Sequence, residues 1–267
     1  METVPVLPSY AAAGMPWSFS KAGVAAQCAL QYDFKYGAAR KTYTEDKSTF
    51  TESRIGSAVH KALELALNGV SIAKAFQVAI ESAELAHDEA ETTLSFVDNV
   101  TAFVKRTAAF RAKYGIKPLD VFLEYRIGMS TDFKSIPFFD NSGLFRGVLD
   151  LVMLTPYGDA VVIDHKSGKQ KEMSEYEAQC RAYCILILAR HPQITGVKTG
   201  VSFLLTGDLQ WNPRVSAETI RAEYHPWLLK FLTESSAGLQ LPPTPNKTRL
   251  CGWCGYKALC PEFQLPK

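Results

Sequence analysis

Polar and apolar positions along the chain change period near its middle. Ser18 is placed to cap a helix that runs past Cys28 to about Tyr36, and the segment LQYDFKYG inside it carries aromatic residues at near-helical spacing. Three further stretches, about 52–67 (ESRIGSAVHKALELAL), 71–91 and 93–113, keep the three-to-four-residue apolar period, with no strand-like alternation between them. From Asp120 onward the pattern is β-rich. VFLEYRIGM, LFRGVLDLVML and AVVIDHK are separated by turn residues such as Asn141, Gly143, Pro156 and Gly158, and predict three neighbouring strands. A helix over about 174–190, a strand at VSFLL, a turn at TGD, a short strand to Val215 and a helix over about 217–233 follow, the last with a kink expected at Pro226. LPPTPNKTR reads as a linker into a cysteine-rich end.

Helices followed by strands and then helices predict an α/β protein with a central sheet. The length of 267 residues is enough for one domain carrying a helical insertion or arch over about 52–113. A net charge of only +2 means that any nucleic acid must be held by local basic patches, and the basic end of the third helical stretch (Lys105, Arg106, Arg111, Lys113) is one candidate. Residues 1–17 lack the basic start of a signal peptide, and the longest apolar run is far too short to cross a membrane. A reducing, cytoplasmic setting without membrane contact is therefore expected, in which cysteines bind metals more often than they pair.

Two constellations carry chemistry. The first is Cys251, Cys254 and Cys260 in CGWCGYKALC, a C-x2-C-x5-C run that Cys28 completes to four thiolates from the far end of the chain. Spacing alone leaves zinc and iron–sulfur both open. Residues 17–36 and 245–263 would then form one cysteine-bearing subdomain that closes the termini together. Cys180 and Cys184, four apart on one helix with no other soft ligands near them, read as small apolar fillers.

The second lies in the strands. A period of two puts Asp164 and Lys166 on one face and His165 on the other, and Asp150 in the preceding strand is close enough to share that face. Converging carboxylates repel unless a cation joins them, hard oxygen ligands favour Mg2+ or Mn2+, and a lysine beside the cation suits phosphodiester hydrolysis. By itself D-x-K is equally a surface ion pair, and His60 on its amphipathic helix is equally a core histidine. Gln179 and Tyr183, four apart on one helical face, are placed to hold Lys166 or a phosphate.

The order Gly56-x-x-x-His60, Glu124, Gly147-x-x-Asp150, Asp164-x-Lys166 and Gln179-x-x-x-Tyr183 resembles the PD-(D/E)XK nuclease superfamily, in particular its RecB-like branch. The cysteine arrangement is similar to that branch's iron–sulfur members, the AddB nuclease domain and the nucleases of CRISPR spacer acquisition among them. The resemblance implies a restriction-endonuclease-like mixed sheet with flanking helices and an iron–sulfur closure. It also implies His60, Asp150 and Asp164 as ligands for Mg2+ or Mn2+, Lys166 as the catalytic lysine, Glu124 as a further active-site carboxylate, and Gln179 and Tyr183 as the supporting helix motif. Cys28, Cys251, Cys254 and Cys260 would hold a [4Fe-4S] cluster. The function implied is a DNA exonuclease working on single-stranded ends in recombination, repair or phage DNA metabolism. The alternatives are a CRISPR-type spacer-end trimmer and a catalytically idle DNA-binding scaffold subunit. No Walker A string occurs, so any helicase or recombination motor would be a separate partner.

Overall fold

The computed structural model describes residues 16–37, 40–46, 51–239 and 242–264. In chain order the elements are α1 (Phe19–Gln27), α2 (Ala29–Tyr36), α3 (Thr51–Leu67), α4 (Ile72–Ser82), α5 (His87–Leu94) and α6 (Val97–Tyr114). The strands β1 (Val121–Met129), β2 (Ser135–Ile136), β3 (Phe145–Leu154) and β4 (Asp159–Lys166) follow. The chain then forms α7 (Glu177–Arg190), β5 (Gly196–Phe203), β6 (Asp208–Trp211), β7 (Val215–Ser216), α8 (Ala217–Thr219), α9 (His225–Ser236) and α10 (Pro261–Gln264). It divides into two compact units: Met1–Thr49 with Ile127–Gly147 and Ala222–Lys267, and Phe50–Arg126 with Val148–Arg221.

The second unit is built on a mixed sheet in the order β1-β3-β4-β5-β6, with β7 beside β5. β3 and β4 are antiparallel, β4 and β5 parallel, β5 and β6 antiparallel. One face of the sheet, with Leu151 and Met153 of β3 and Val161 and Ile163 of β4, packs against Val59, Leu63, Phe76 and Phe103 of α3, α4 and α6. The other face carries Val201 and Phe203 of β5 under Cys180 of α7. α7 buries nine of its fourteen residues, Cys180 and Cys184 among them, and burial pushes the Cys180 thiol up to about 11. Both cysteines therefore pack as apolar residues.

Two helices expected as single rods are broken. The stretch 71–91 is interrupted after Ser82, where Glu84 takes φ +48. Arg54 donates to the carbonyls of Ala83 and Glu84, and the buried Glu89 carboxylate accepts the Ala86 N–H, so both new helix ends have partners. The three neighbouring strands appear as expected. Beyond them, the helix around Pro226 accommodates the proline through a π-helical turn over Ile220–Tyr224.

In the first unit, Ser18 caps α1 by accepting the Lys21 N–H at 3.2 Å. The helix expected to run past Cys28 instead stops there. Cys28 is extended (φ −161°), and its Sγ accepts the Gln31 N–H at 3.5 Å as the N-cap of α2. α1 packs on α9, with Phe19 stacked on Phe231 at 5.7 Å. Lys21 is buried with its ammonium 5.4–5.7 Å from the ring centres of Trp17, Tyr32 and Tyr36, and desolvation lowers its pKa to about 8. The end of β1 pairs with β2 in this unit.

Candidate active site

All seven residues expected in the catalytic constellation lie in the second unit. The β3–β4 register, Leu151 opposite Ile163, carried one residue further sets Asp150 opposite Asp164. Alternation along β4 then separates the functions of three consecutive residues. Asp164 and Lys166 turn toward α7, while the His165 ring turns the other way, edge-on to Phe103 at 4.8 Å and 6.0 Å from His60. Burial holds the His165 imidazole neutral, with its pKa well below the usual histidine value. Its backbone N–H donates to Asp150 Oδ2 at 2.7 Å and ties the two strands together at the site.

Asp164, only 4% exposed, is committed to a closed network. Its Oδ1 accepts from Tyr183 Oη at 2.9 Å and Gln179 Nε2 at 3.2 Å, and its Oδ2 lies 2.8 Å from Lys166 Nζ. The Oδ2 contact is an ion pair without hydrogen-bond alignment. Gln179 Oε1 accepts from Lys166 Nζ at 3.1 Å. Two α7 residues four apart thus fix the carboxylate and the lysine together. Burial raises the Tyr183 pKa well above the phenol range, so it remains a neutral donor.

Among the described residues, one group of three offers ligand atoms all within 4.8 Å of one another: His60, Glu124 and Asp150. Asp164 stands outside that group, its oxygens facing the α7 network. Burial first, and then the Asp164 charge, push the Asp150 pKa up to about 8. Burial lowers that of His60 and raises that of Glu124, whose second cause is the nearby Glu64. Neutral imidazole beside carboxylates that resist ionisation is a donor set that a divalent cation relieves, and mixed His/Asp/Glu ligation suits Mn2+ at least as well as Mg2+.

The backbone at Glu124 has φ +47 inside a strand, a conformation that costs a non-glycine residue about 1–3 kcal/mol and re-aims its side chain. Gly56 explains the G-x-x-x-H spacing. One turn before His60, a Cβ at Gly56 would come within 2.6 Å of the Ser167 hydroxyl just beyond β4, so α3 and the end of β4 lie close there.

Gly56, His60, Glu124 and Asp150 border an open cleft of about 630 Å3 whose rim also includes Lys61, Glu64, Arg126 and Ser167. None of those four belongs to a sequence motif of the site. Glu64, four residues beyond His60 and hence on its face, had a helical signal, whereas Arg126 and Ser167 enter only through folding.

In the first unit, Cys28, Cys251, Cys254 and Cys260 are unpaired and line one cavity of about 390 Å3. Backbone N–H groups of Asn246 and Thr248 point at the sulfurs of Cys28 (3.4 Å) and Cys251 (3.3 Å). All four residues line this cavity, and among the described residues no three of their sulfurs form a group within 4.8 Å of one another. A single tetrahedral zinc, with Zn–S near 2.3 Å, would bring them to about 4 Å apart.

A mixed sheet with carboxylates and a lysine on adjacent strands, backed by a helix that holds Asp164 and Lys166, fits a metal-dependent nuclease class. The chain belongs to the PD-(D/E)XK nuclease superfamily, whose family model matches residues 16–261. No curated protein sequence matches it. Among solved structures, a Eubacterium rectale protein provisionally named an exonuclease superposes with a TM-score of 0.52 at 13% identity, covering 100% of this chain and 95% of that one, and so shares its fold. SSO0001, at a TM-score of 0.36 and 11% identity over 80% of this chain and 86% of its own, is too distant to add to that. Among the described residues no helix is long and apolar enough to cross a membrane.

Proposed function

We propose that this nuclease is a Mg2+- or Mn2+-dependent deoxyribonuclease that degrades single-stranded DNA from its ends, in recombination, repair or phage DNA metabolism. The observation that carries the reading is the juxtaposition of His60, Glu124 and Asp150, with ligand atoms within 4.8 Å of one another, beside Asp164 and Lys166. A divalent ion held by the first three would supply Lewis acidity toward a phosphate oxygen and a more acidic water.

The protein's own groups do the rest. Lys166 Nζ donates one hydrogen bond, to Gln179, and is ion-paired with Asp164, so the partly exposed ammonium keeps donors for the attacking water or for charge growing on the phosphate. Gln179 and Tyr183 are positioning residues, since they touch Asp164 and Lys166 and hold both in register. The open cleft has room for nucleotides of a single strand.

The test is digestion of end-labelled linear and closed circular single-stranded DNA with Mn2+. Linear strands should be consumed while circles persist. Equal rates would make the enzyme an endonuclease, and no cleavage of either would remove the nuclease reading.

The four cysteines are proposed to hold a [4Fe-4S] cluster. Support comes from four thiols around one cavity, with backbone N–H donors aimed at two of the sulfurs. Protein purified without oxygen should contain about four irons per chain. Stoichiometric zinc without iron would assign the site to a single ion.

A further inference from the structure

A second groove lies on the sheet face that packs against α3, α4 and α6, in the same unit as the catalytic residues. Its floor is apolar, formed by Met153, Val161 and Ile163 of β3 and β4, and α6 supplies a wall with Phe103 and Phe110. The remaining side is Trp211 of β6, 36% exposed. The volume, about 280 Å3, sits at the lower edge of small-ligand sites and fits one ring system.

Trp211 is held as a platform. Gly200 on β5 pairs with it across the strands, and a Cβ at Gly200 would lie 2.7 Å from the indole Cε3, so the ring rests directly on the glycine backbone. Lys198 Nζ lies over the indole ring, 5.1 Å from its centre, and has to leave that face for a base to stack there. Arg106, pinned by its donation to the Gly207 carbonyl at 2.7 Å, is the second cation, and among the described residues no acidic one lines the groove. Val161 is three residues along β4 from Asp164, about 10 Å at ~3.3 Å per residue, and its side chain points to the opposite face.

We propose that this groove binds an unpaired base of single-stranded DNA, stacked on Trp211, with the flanking phosphates on Lys198 and Arg106. A rigid aromatic face beside cations, with no competing carboxylate, is the donor set that unpaired nucleotides use, because every base offers a π-face and every linkage an anion. The assignment rests on the nuclease reading for its choice of ligand. The base it holds belongs to a nucleotide outside the cleaved linkage, so the groove grips the strand and leaves the chemistry to the cleft.

The full chain is titrated, in EDTA so that nothing is cut, against end-labelled oligo(dT) and an abasic strand of equal length, by fluorescence anisotropy. Trp211→Ala should weaken oligo(dT) binding about tenfold, and Trp211→Phe should restore most of it. Neither change should alter affinity for the abasic strand. Lys198→Ala should lower the slope of log affinity against log salt by about 0.7, one phosphate contact on a single strand. Unchanged oligo(dT) affinity in Trp211→Ala overturns the proposal, including where the groove instead receives a protein segment. So does an equal loss on the abasic strand, which would make the effect structural. If the melting curve shows that Trp211→Ala does not fold, the exposed Lys198 decides alone, and an unchanged salt slope overturns the assignment. Failure of the wild type to cleave would remove the nuclease reading while leaving this metal-free measurement intact.

Discussion

Replacing Asp150 by Asn is expected to abolish cleavage and, in the metal-free protein at alkaline pH, to raise the melting temperature. The Asp150 carboxyl is pushed up to about 8 by burial and by the Asp164 charge. Between the unfolded value near 4 and about 8, the folded state therefore holds a proton that the unfolded chain has released. Stability must fall as pH rises through that window and level off above it. A shift of that size corresponds to on the order of 5 kcal/mol once the group is ionised, a ceiling for a site that the neighbouring Asp164 also influences. Asparagine keeps an oxygen for the His165 N–H and carries no charge. The variant should match wild type near pH 5 and melt about 5–15 °C higher at pH 8.5 in EDTA. Mn2+ should close that gap by stabilising wild type alone. Equal melting temperatures at pH 8.5, or wild-type turnover by the variant, would remove Asp150 from the metal-binding group.

The second large effect is expected at Lys166. Lys166→Ala should lower cleavage by about 10²–10⁴-fold, the range for a lost proton donor or charge stabiliser. The substitution also bears on folding, because Lys166 Nζ is the cation beside the nearly buried Asp164 Oδ2, and removing one partner of a buried ion pair costs about 3–5 kcal/mol. Single-site Lys166→Ala should therefore also melt early, and Asp164→Asn added to it should restore the melting temperature without restoring cleavage. Recovery of activity in the double variant would falsify the catalytic assignment of the lysine. No stability change in the single variant would show that the pair is solvated in solution.

A catalytically idle scaffold shares the stability changes but has no cleavage for either substitution to remove. Buried carboxylates that repel each other are costly to keep, and Glu124 adds a left-handed backbone to that cost. Such a set is expected where a cation offsets it.

The local rules of the chain determined much of this. Period-two alternation placed Asp164 and Lys166 on one face and His165 on the other, and helical spacing paired Gln179 with Tyr183, because both depend only on neighbouring residues. The order of motifs was likewise enough to indicate the superfamily to which the chain belongs. Tertiary structure decided which carboxylate joins which partner. Glu124 meets His60 and Asp150 through a backbone turn that no side-chain pattern announces, and Asp164 is drawn into the α7 network. Cys28 ends one helix and caps the next, a break that uninterrupted helical spacing conceals. The same holds for the groove at Trp211, where a glycine on one strand makes room for an indole on the next. Periodicity records which way a side chain points relative to its own element. Pairing between distant elements is set by packing and burial in three dimensions, and those act on residues that the sequence keeps far apart.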